Sequence, residues 1–262
     1  MIRRRVGDEY RLIPQHEHAL LSGKLAAALR DPLPADAVTG IGHHDAGWPL
    51  HDDRPTLSRA GLPLDVFETP MPLGLEIWLA SAERAAAEAP HAGLLVSLHS
   101  LSLAGHALSP DLPRRTQFDW LAFTTRIAEL QMQWRQSLGM QIDRPTSHGL
   151  AHGWSDDRET ALRAHFRWLQ ALDKLSLDAC RTELAFGTIE VGPELVLRVE
   201  RSGEDRVTDV RVGPWVFAAD VLEFDVPYRA VPAKTFGSAD ELHGLLGAAS
   251  WESMHVSFRP LR

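Results

Sequence analysis

Cysteine is almost missing from this sequence: Cys180 is the one example among 262 residues. A single cysteine cannot form an intrachain disulfide, and chains with little cysteine are typical of reducing compartments, so we expect a cytoplasmic protein. The sequence also lacks any apolar run of about 18 residues, the length that a membrane-spanning helix needs. These absences exclude a disulfide-stapled scaffold and predict that the chain has no membrane partner.

An excess of basic residues is missing as well. There are 19 basic and 23 acidic residues before Phe186 and 8 and 12 from it on, so each part carries a net charge of −4. Neither part offers the positive surface that a phosphate backbone requires, and we expect no nucleic-acid partner. The acidic balance also favours a small-molecule substrate over a polyanionic macromolecule.

The pattern of apolar residues changes near Phe186. Before it, apolar residues recur at helical spacing, and a short hairpin with a glycine turn precedes the first helix. After it, they alternate with period two, which predicts strands. The predicted helices are 15–30, 34–45, 75–89, 91–106, 116–138, 156–184 and 238–248, and the predicted strands are 188–191, 195–199, 207–212, 221–231 and 255–258.

These elements predict an α+β fold in which the helical part is larger than the β part. Residues 1–185 are expected to form a mainly α-helical bundle with the N-terminal hairpin. Residues 186–262 are expected to form a small antiparallel β unit packed on that bundle, and the N-terminal hairpin is a candidate to join its sheet. The two parts are expected to make one compact domain.

Chemistry-bearing side chains stand on helix faces that should point inward. His18 shares a face with leucines, His44-Asp45 ends the second helix, and His99 and Asp173 each have a leucine one turn before and after them. A buried carboxylate without a partner is costly, and a shared divalent cation would satisfy all these groups at once. Imidazole and carboxylate donors suit manganese, iron, nickel or zinc. The sequence therefore predicts one divalent metal ion.

Plainer interpretations exist for each of these residues. A single histidine on an apolar face is usually a hydrogen-bonded core residue, and Asp173 could pair with an arginine instead of a metal. His44-Asp45 could be a helix C-terminus followed by a turn acid. His43 could compete with His44 for the metal, hydrogen-bond a substrate or face solvent. The joint pattern, more than any one member, favours the metal.

The order His, His-Asp, His and late helical Asp resembles the HD-domain superfamily of metal-dependent phosphohydrolases. The resemblance covers about residues 15–184 and implies a helical HD-like domain. It implies His18, His44, Asp45 and Asp173 as metal ligands, and His99 as a ligand of a second metal or a group that binds phosphate. A full second ligand set cannot be placed, although His106 follows His99 by one heptad, so a mononuclear site is favoured.

The whole chain is also similar to a bacterial group, domain-of-unknown-function family 3891, whose name assigns no activity. The stretches that carry this similarity are Gln15-His16-Glu17-His18-Ala19, His43-His44-Asp45-Ala46-Gly47-Trp48, Leu94-Leu95-Val96-Ser97-Leu98-His99, Leu172-Asp173-Lys174-Leu175-Ser176-Leu177 and Val226-Pro227-Tyr228-Arg229.

The function predicted from these residues is metal-assisted hydrolysis of a small-molecule phosphoester. A metal-bound water would be the nucleophile, and His99 or His43 would assist with the proton or hold the developing negative charge. One alternative is an iron-dependent oxygenase of the HD type, which a convincing second ligand set would favour. Another is a ligand-binding module without turnover.

Overall fold

The structure, a computed structural model, describes residues 1–109, 111–140, 157–181, 186–203 and 207–261. In these ranges it contains eight α-helices, seven β-strands and one short 3₁₀ helix at Val66–Glu68. The helices are α1 (Gln15–Ala27), α2 (Ala35–Gly42), α3 (Pro49–Asp53), α4 (Met71–Glu88), α5 (Pro90–His106), α6 (Arg114–Ser137), α7 (Asp157–Cys180) and α8 (Ala239–Ala248). The strands are β1 (Ile2–Val6), β2 (Glu9–Ile13), β3 (Phe186–Gly192), β4 (Leu195–Ser202), β5 (Val207–Gly213), β6 (Leu222–Pro232) and β7 (Trp251–Pro260).

All seven strands belong to one mixed, curled sheet with the order β1-β2-β6-β7-β5-β4-β3. Neighbouring strands are antiparallel except β5 and β7, which run parallel from Val207 opposite His255 to Val212 opposite Pro260. The class is α+β, but the expectation of a mainly α-helical HD-like bundle with a small antiparallel β unit at the C-terminus is wrong. The physical reason is a non-local pairing: β2 hydrogen-bonds to β6, with Tyr10 opposite Val231, and this builds the N-terminal hairpin into the sheet.

One hydrophobic core joins the sheet to the helices. Alternation along β1 buries Ile2 and leaves Arg5 exposed, as expected for a strand with one covered face. The covered face of the sheet contributes side chains from five strands, and α1 and α7 contribute leucines to the same core: Ile2, Ile13, Val226, Val256, Phe258, Val210, Leu21, Leu25, Leu172 and Leu175. The curled sheet therefore packs around the two helices that carry His18 and Asp173.

The predicted helices lie close to the observed ones, because apolar periodicity is a local signal. Prolines stand at or just before several helix starts, where the missing N–H costs nothing: Pro14, Pro34, Pro70, Pro90 and Pro113. The loop expected around residues 48–74 contains α3 and the 3₁₀ helix, both too short for a periodic signal. Both ends of the predicted helix 156–184 fall outside the described residues.

No helix in the described part of the chain combines the length and the apolarity that a bilayer crossing requires.

Candidate functional site

Four helical elements bring five predicted site residues to one place inside the protein. His18 lies on α1, His99 on α5 and Asp173 on α7, while His44 and Asp45 occupy the turn that follows α2. His18, His44 and Asp45 are buried, and His99 is only 4% exposed. The Asp173 side chain is the most open of the group, with 19% of its surface exposed.

Glycine allows α1 and α2 to approach closely enough to form this cluster. A Cβ atom built on Gly23 would lie 2.8 Å from the Cα atom of Gly42, which is closer than real Cβ contacts come. A second glycine, Gly47, lies against α4, and its amide N–H donates to the Ser81 hydroxyl at 2.9 Å. Arg84 donates to the carbonyl of Ala46 in the same turn. These contacts fix the turn that carries His44 and Asp45.

His18 is held through both of its ring nitrogens. Its Nε2 lies 2.9 Å from Asp45 Oδ2, and its Nδ1 lies 3.0 Å from the Ser176 hydroxyl. The Ser176 hydroxyl in turn donates to the Asp173 carbonyl at 2.9 Å and lies 2.7 Å from the Ser22 hydroxyl. The Gln15 side chain also approaches His18 Nε2, at 3.0 Å. His18 therefore has a fixed orientation with Nε2 facing a carboxylate.

His44 is oriented by the backbone and leaves one nitrogen unsatisfied. Its Nδ1 donates to the Ile41 carbonyl at 2.8 Å, which leaves Nε2 as the nitrogen that could bind a metal ion after losing its proton. That Nε2 lies 3.3 Å from Asp173 Oδ1 and 3.7 Å from Asp45 Oδ2, and it is buried without a hydrogen-bond partner. An imidazole nitrogen fixed in this way, with its other nitrogen bonded to a carbonyl, is the usual arrangement of a metal-ligating histidine.

His99 completes the cluster from the side of α5. Its Nε2 lies 3.6 Å from Asp173 Oδ2. The ring centroid of His44 lies 5.2 Å from that of His99 and 5.0 Å from that of His18, with edge-to-face geometry in both pairs. The Nδ1 atom of His99 is buried without a hydrogen-bond partner. Three imidazoles and two carboxylates thus surround one small volume.

The charges of the cluster are strongly coupled. Burial lowers the pKa of His44, but the Asp45 and Asp173 carboxylates outweigh burial and raise it to about 9. Burial dominates at His99 and lowers its pKa to about 4. Burial raises the pKa of Asp45 and of Asp173, yet the neighbouring histidines, His44 foremost, bring both below their usual range. At neutral pH both carboxylates are therefore ionised, His44 is cationic and His99 is a neutral imidazole.

The described residues form two groups of donor atoms with the spacing of a metal site. One group is His18, His44 and Asp45, and the other is His44, His99 and Asp173. Within each group the donor atoms lie within 4.8 Å of one another. Mixed imidazole and carboxylate donors suit the divalent first-row transition metals. These residues can hold a divalent metal, and the unsatisfied His44 Nε2 is the atom that most needs one.

The structure does not bring every predicted residue to the cluster. His43 turns away from His44: its Nδ1 donates to the Thr39 carbonyl at 2.9 Å, and its ring lies 6.5 Å from that of His16. His106, considered for a second metal, is exposed at the end of α5 and donates to the Ser102 carbonyl. Adjacent positions in a tight turn point in different directions, so His43 and His44 cannot both face the cluster.

Sequence reasoning missed the polar residues that orient the cluster, which are Gln15, Ser22 and Ser176. A signal for the two serines existed in the helical spacing. Ser22 follows His18 by four residues and Ser176 follows Asp173 by three, so each shares a helix face with a predicted ligand.

Comparison with known proteins places the chain in a family but not in a functional class. No curated protein and no solved structure matches it significantly. The resemblance to the HD-domain superfamily therefore receives no support. One family matches residues 1–233, which is most of the chain. The protein belongs to that family, described as "Protein of unknown function (DUF3891)".

Proposed function

We propose that this protein is a metal-dependent hydrolase that acts on a small-molecule phosphoester. The observation that carries the proposal is one cluster of three histidines and two aspartates, whose donor atoms form two groups that share His44. His44 Nε2 faces two carboxylates and has no hydrogen-bond partner. Four separate helical elements supply these residues. Two buried carboxylates this close together need positive charge to balance them, and a divalent cation would supply it. The likeness to the HD-domain superfamily carries no part of the proposal.

The ligands proposed for one divalent ion are His18, His44, Asp45 and Asp173, as predicted from the sequence. Manganese, iron, nickel and zinc all suit this donor set. When bound, such an ion lowers the pKa of a coordinated water and polarises a phosphoryl oxygen. The Ser176 hydroxyl and the Ile41 carbonyl hold the two histidines so that each presents Nε2 to the centre.

Charge and access both suit a small anionic substrate. Two ionised carboxylates and one divalent ion sum to no net charge, so the loaded centre does not repel a phosphate group. The cluster is closed by buried residues on the sides of His18, His44 and Asp45, whereas Asp173 keeps part of its surface exposed. A substrate would reach the centre on the Asp173 side.

His99 is the residue of this site best placed for proton transfer. It is neutral at pH 7, lies against the exposed ligand Asp173, and has one ring nitrogen without a partner. A neutral imidazole in this position can take a proton from an attacking water or hold a substrate oxygen. His43 was predicted for the same role from the sequence, but its hydrogen bond to Thr39 directs it elsewhere.

Metal content tests the proposal first. The untagged protein is purified without added metal, and elemental mass spectrometry compares the wild type with Asp45→Asn and His44→Asn. We expect about one divalent metal per chain in the wild type and none in either variant. Matched controls are Asp178→Asn and His165→Asn, which change buried residues of the same types outside the cluster. Metal bound equally by all five proteins would place it elsewhere and contradict the proposal.

Activity tests the second half of the proposal. The metal-loaded protein is assayed with p-nitrophenyl phosphate and bis(p-nitrophenyl) phosphate, and we expect turnover that His44→Asn abolishes. His99→Gln separates two roles: loss of activity with metal retained assigns proton transfer, and loss of both makes His99 a ligand. Stoichiometric metal without turnover of either compound would leave a metal-containing binding module, the alternative from another class.

A specific observation also keeps the iron oxygenase as a second candidate. Each of the two donor groups consists of two histidines and one carboxylate, which is the ligand set of non-haem iron oxygenases. The two groups share His44, so they do not form two independent sites. Iron as the metal of the purified protein, together with substrate-dependent oxygen consumption, would favour this activity over hydrolysis.

A further inference from the structure

Helix α6 carries an apolar stripe on its solvent face. Its inner face packs on α4 and α5 in one hydrophobic cluster, to which it contributes Phe123 and Ile127. Exposed residues recur on the opposite face at alternating intervals of three and four, and we call them the outer stripe: Phe118, Leu121, Thr125, Ala128 and Met132. The three large side chains among them are 69%, 56% and 48% exposed. Aligned exposed apolar side chains of this size mark an interaction surface.

The spacing of the outer stripe fits a second α-helix. Alternating intervals of three and four residues give the 3.5-residue repeat with which two helices pack along a shared seam. From Phe118 to Met132 the stripe is about 21 Å long, at 1.5 Å per residue. A partner helix with the same repeat can cover it over this whole length, and α6 of a second copy of this chain has that repeat.

The charges of α6 are arranged unfavourably within one copy. Arg114 and Arg115 begin the helix, and its first turn contains no acidic residue. Positive charge at a helix N-terminus is unfavourable, because the helix dipole already places partial positive charge there. Glu129 is 55% exposed and lies about four whole turns after Arg115, so the two flank the outer stripe on the same edge.

We propose that α6 is a homodimer interface in which the outer stripes of two copies pack antiparallel. We place the two-fold axis between Leu121 and Thr125, which then face each other across it. Phe118 faces Ala128 of the second copy in this register. Each large side chain thus meets a small one, which allows the facing positions to interdigitate. None of the cluster histidines or aspartates lies on α6, so the interface does not depend on the proposed hydrolase activity.

The antiparallel arrangement also balances the charges. Arg115 of each copy lies beside Glu129 of the other, so the dimer contains two such pairs. The aliphatic part of Arg114 covers Met132 of the other copy, while its guanidinium reaches water. A parallel pair would instead place Arg114 against Arg114, and like charges side by side in an interface are costly. Both size and charge therefore favour a second copy in the antiparallel direction.

Sedimentation equilibrium of the full-length protein tests the interface. A single helix pair is smaller than a standard interface of about 1,600 Å², so we expect a reversible dimer with a micromolar Kd. Leu121→Glu places two carboxylates in the apolar contact and is expected to leave the protein monomeric. Leu50→Glu is the matched control, because Leu50 is 69% exposed and lies on α3, and it is expected to dimerise like the wild type.

Charge reversal tests the antiparallel direction. Arg115→Glu and Glu129→Arg each place like charges side by side twice in the dimer, so each is expected to weaken it at least tenfold. The double variant restores opposite charges and is expected to recover the wild-type Kd. All the substituted side chains are exposed, so the variants are expected to fold, which circular dichroism checks.

Several results would overturn the proposal. One is a wild-type protein that stays monomeric up to about 1 mM. Another is a dimer that Leu121→Glu leaves intact, because its interface would then lie elsewhere. Single charge reversals that leave the Kd unchanged, or a double variant that does not recover it, would exclude the antiparallel register.

Discussion

The Ser176 hydroxyl lies 3.0 Å from His18 Nδ1, at the opposite end of the imidazole from Asp45. Because this hydroxyl donates to the Asp173 carbonyl, its lone pairs are left to accept the N–H of His18. With a metal ion bound at Nε2, the His18 proton would therefore lie on Nδ1. One serine on α7 thus orients a histidine on α1.

Ser176→Ala is expected to weaken metal binding without removing a ligand. Loss of an outer hydrogen bond to a metal-ligating histidine typically costs 10- to 100-fold in affinity, because the ring is no longer held in one tautomer and orientation. Competition with a chromophoric chelator measures the Kd directly.

Ser257→Ala serves as the comparison for this experiment. Ser257 is also buried and hydrogen-bonded, to Asp209 at 2.8 Å, but it lies on β7 and does not contact the cluster. Its replacement is expected to leave the metal Kd unchanged. Equal affinities for Ser176→Ala and the wild type would mean that Ser176 has only a packing role.

Gly23→Ala is expected to destabilise the protein, and Gly42→Ala is not. A Cβ on Gly23 would lie 2.8 Å from backbone of the opposite helix, whereas a Cβ on Gly42 would lie 3.5 Å from Gly23, an ordinary contact. Overpacking of this kind costs about 1–3 kcal/mol, while alanine in place of a helical glycine can add up to about 1 kcal/mol. Urea unfolding of both variants measures the difference. A smaller loss of unfolding free energy for Gly23→Ala than for Gly42→Ala would contradict this account of the α1–α2 contact.

Gly47→Ala is expected to affect stability and metal binding together. A Cβ there would lie 2.2 Å from the Ile77 carbonyl oxygen and 2.8 Å from the Ser81 hydroxyl, so the turn itself must move away from α4. Because Asp45 is two residues away, that movement displaces a proposed ligand. We expect a loss of about 1–3 kcal/mol in the free energy of unfolding and reduced metal content.

Gly105→Ala distinguishes this effect from a general intolerance of alanine. Nothing lies within 4 Å of a Cβ built on Gly105, which is in α5 near its end. The free energy of unfolding of Gly105→Ala is expected to equal that of the wild type or to exceed it by up to about 1 kcal/mol. Full metal content in a folded Gly47→Ala protein would show that the turn is not what positions Asp45.

The helices that carry the site could be predicted from the sequence because their signal is local. Leucines one turn before and after His99 and Asp173 mark the buried face of each helix, and the structure places both side chains on that face. The burial of His18 followed from the same spacing. The apolar spacing of one helix does not show which residues of another helix it will contact, as the hydrogen-bond contact between Ser176 and His18 illustrates.

The sheet could not be predicted because its pairings join distant parts of the chain. The sequence indicates strands at 10–13 and 221–231, but no local pattern shows that Tyr10 lies opposite Val231. The same holds for the parallel pairing of β5 with β7, since the C-terminal strands read equally well as a simple antiparallel unit. Buried Arg4 also breaks the apolar pattern by which a covered strand is usually recognised.

Acid is expected to weaken the packing of α5 against α7 through a pair of histidines outside the cluster. His91 Nε2 lies 3.0 Å from His165 Nδ1, so one ring donates and the other accepts, which requires at least one neutral imidazole. Burial lowers the pKa of both, and at His165 the charge of His91 adds to this effect. Below pH about 6.5 the unfolded chain then binds more protons than the folded protein does at these positions, so the free energy of unfolding falls as the pH falls.

His165→Gln removes this contribution, because glutamine does not titrate. Urea unfolding in the presence of a chelator, between pH 8 and pH 5, is expected to show a shallower fall in the free energy of unfolding for His165→Gln than for the wild type. The variant is the less stable protein at pH 8, since it loses a buried hydrogen bond, and the gap narrows toward pH 5. His106→Gln, an exposed histidine on the same helix as His91, tests whether removal of any histidine has this effect. Parallel profiles for the wild type and His165→Gln would show that the pair takes up protons equally in the folded and unfolded states and does not link stability to pH.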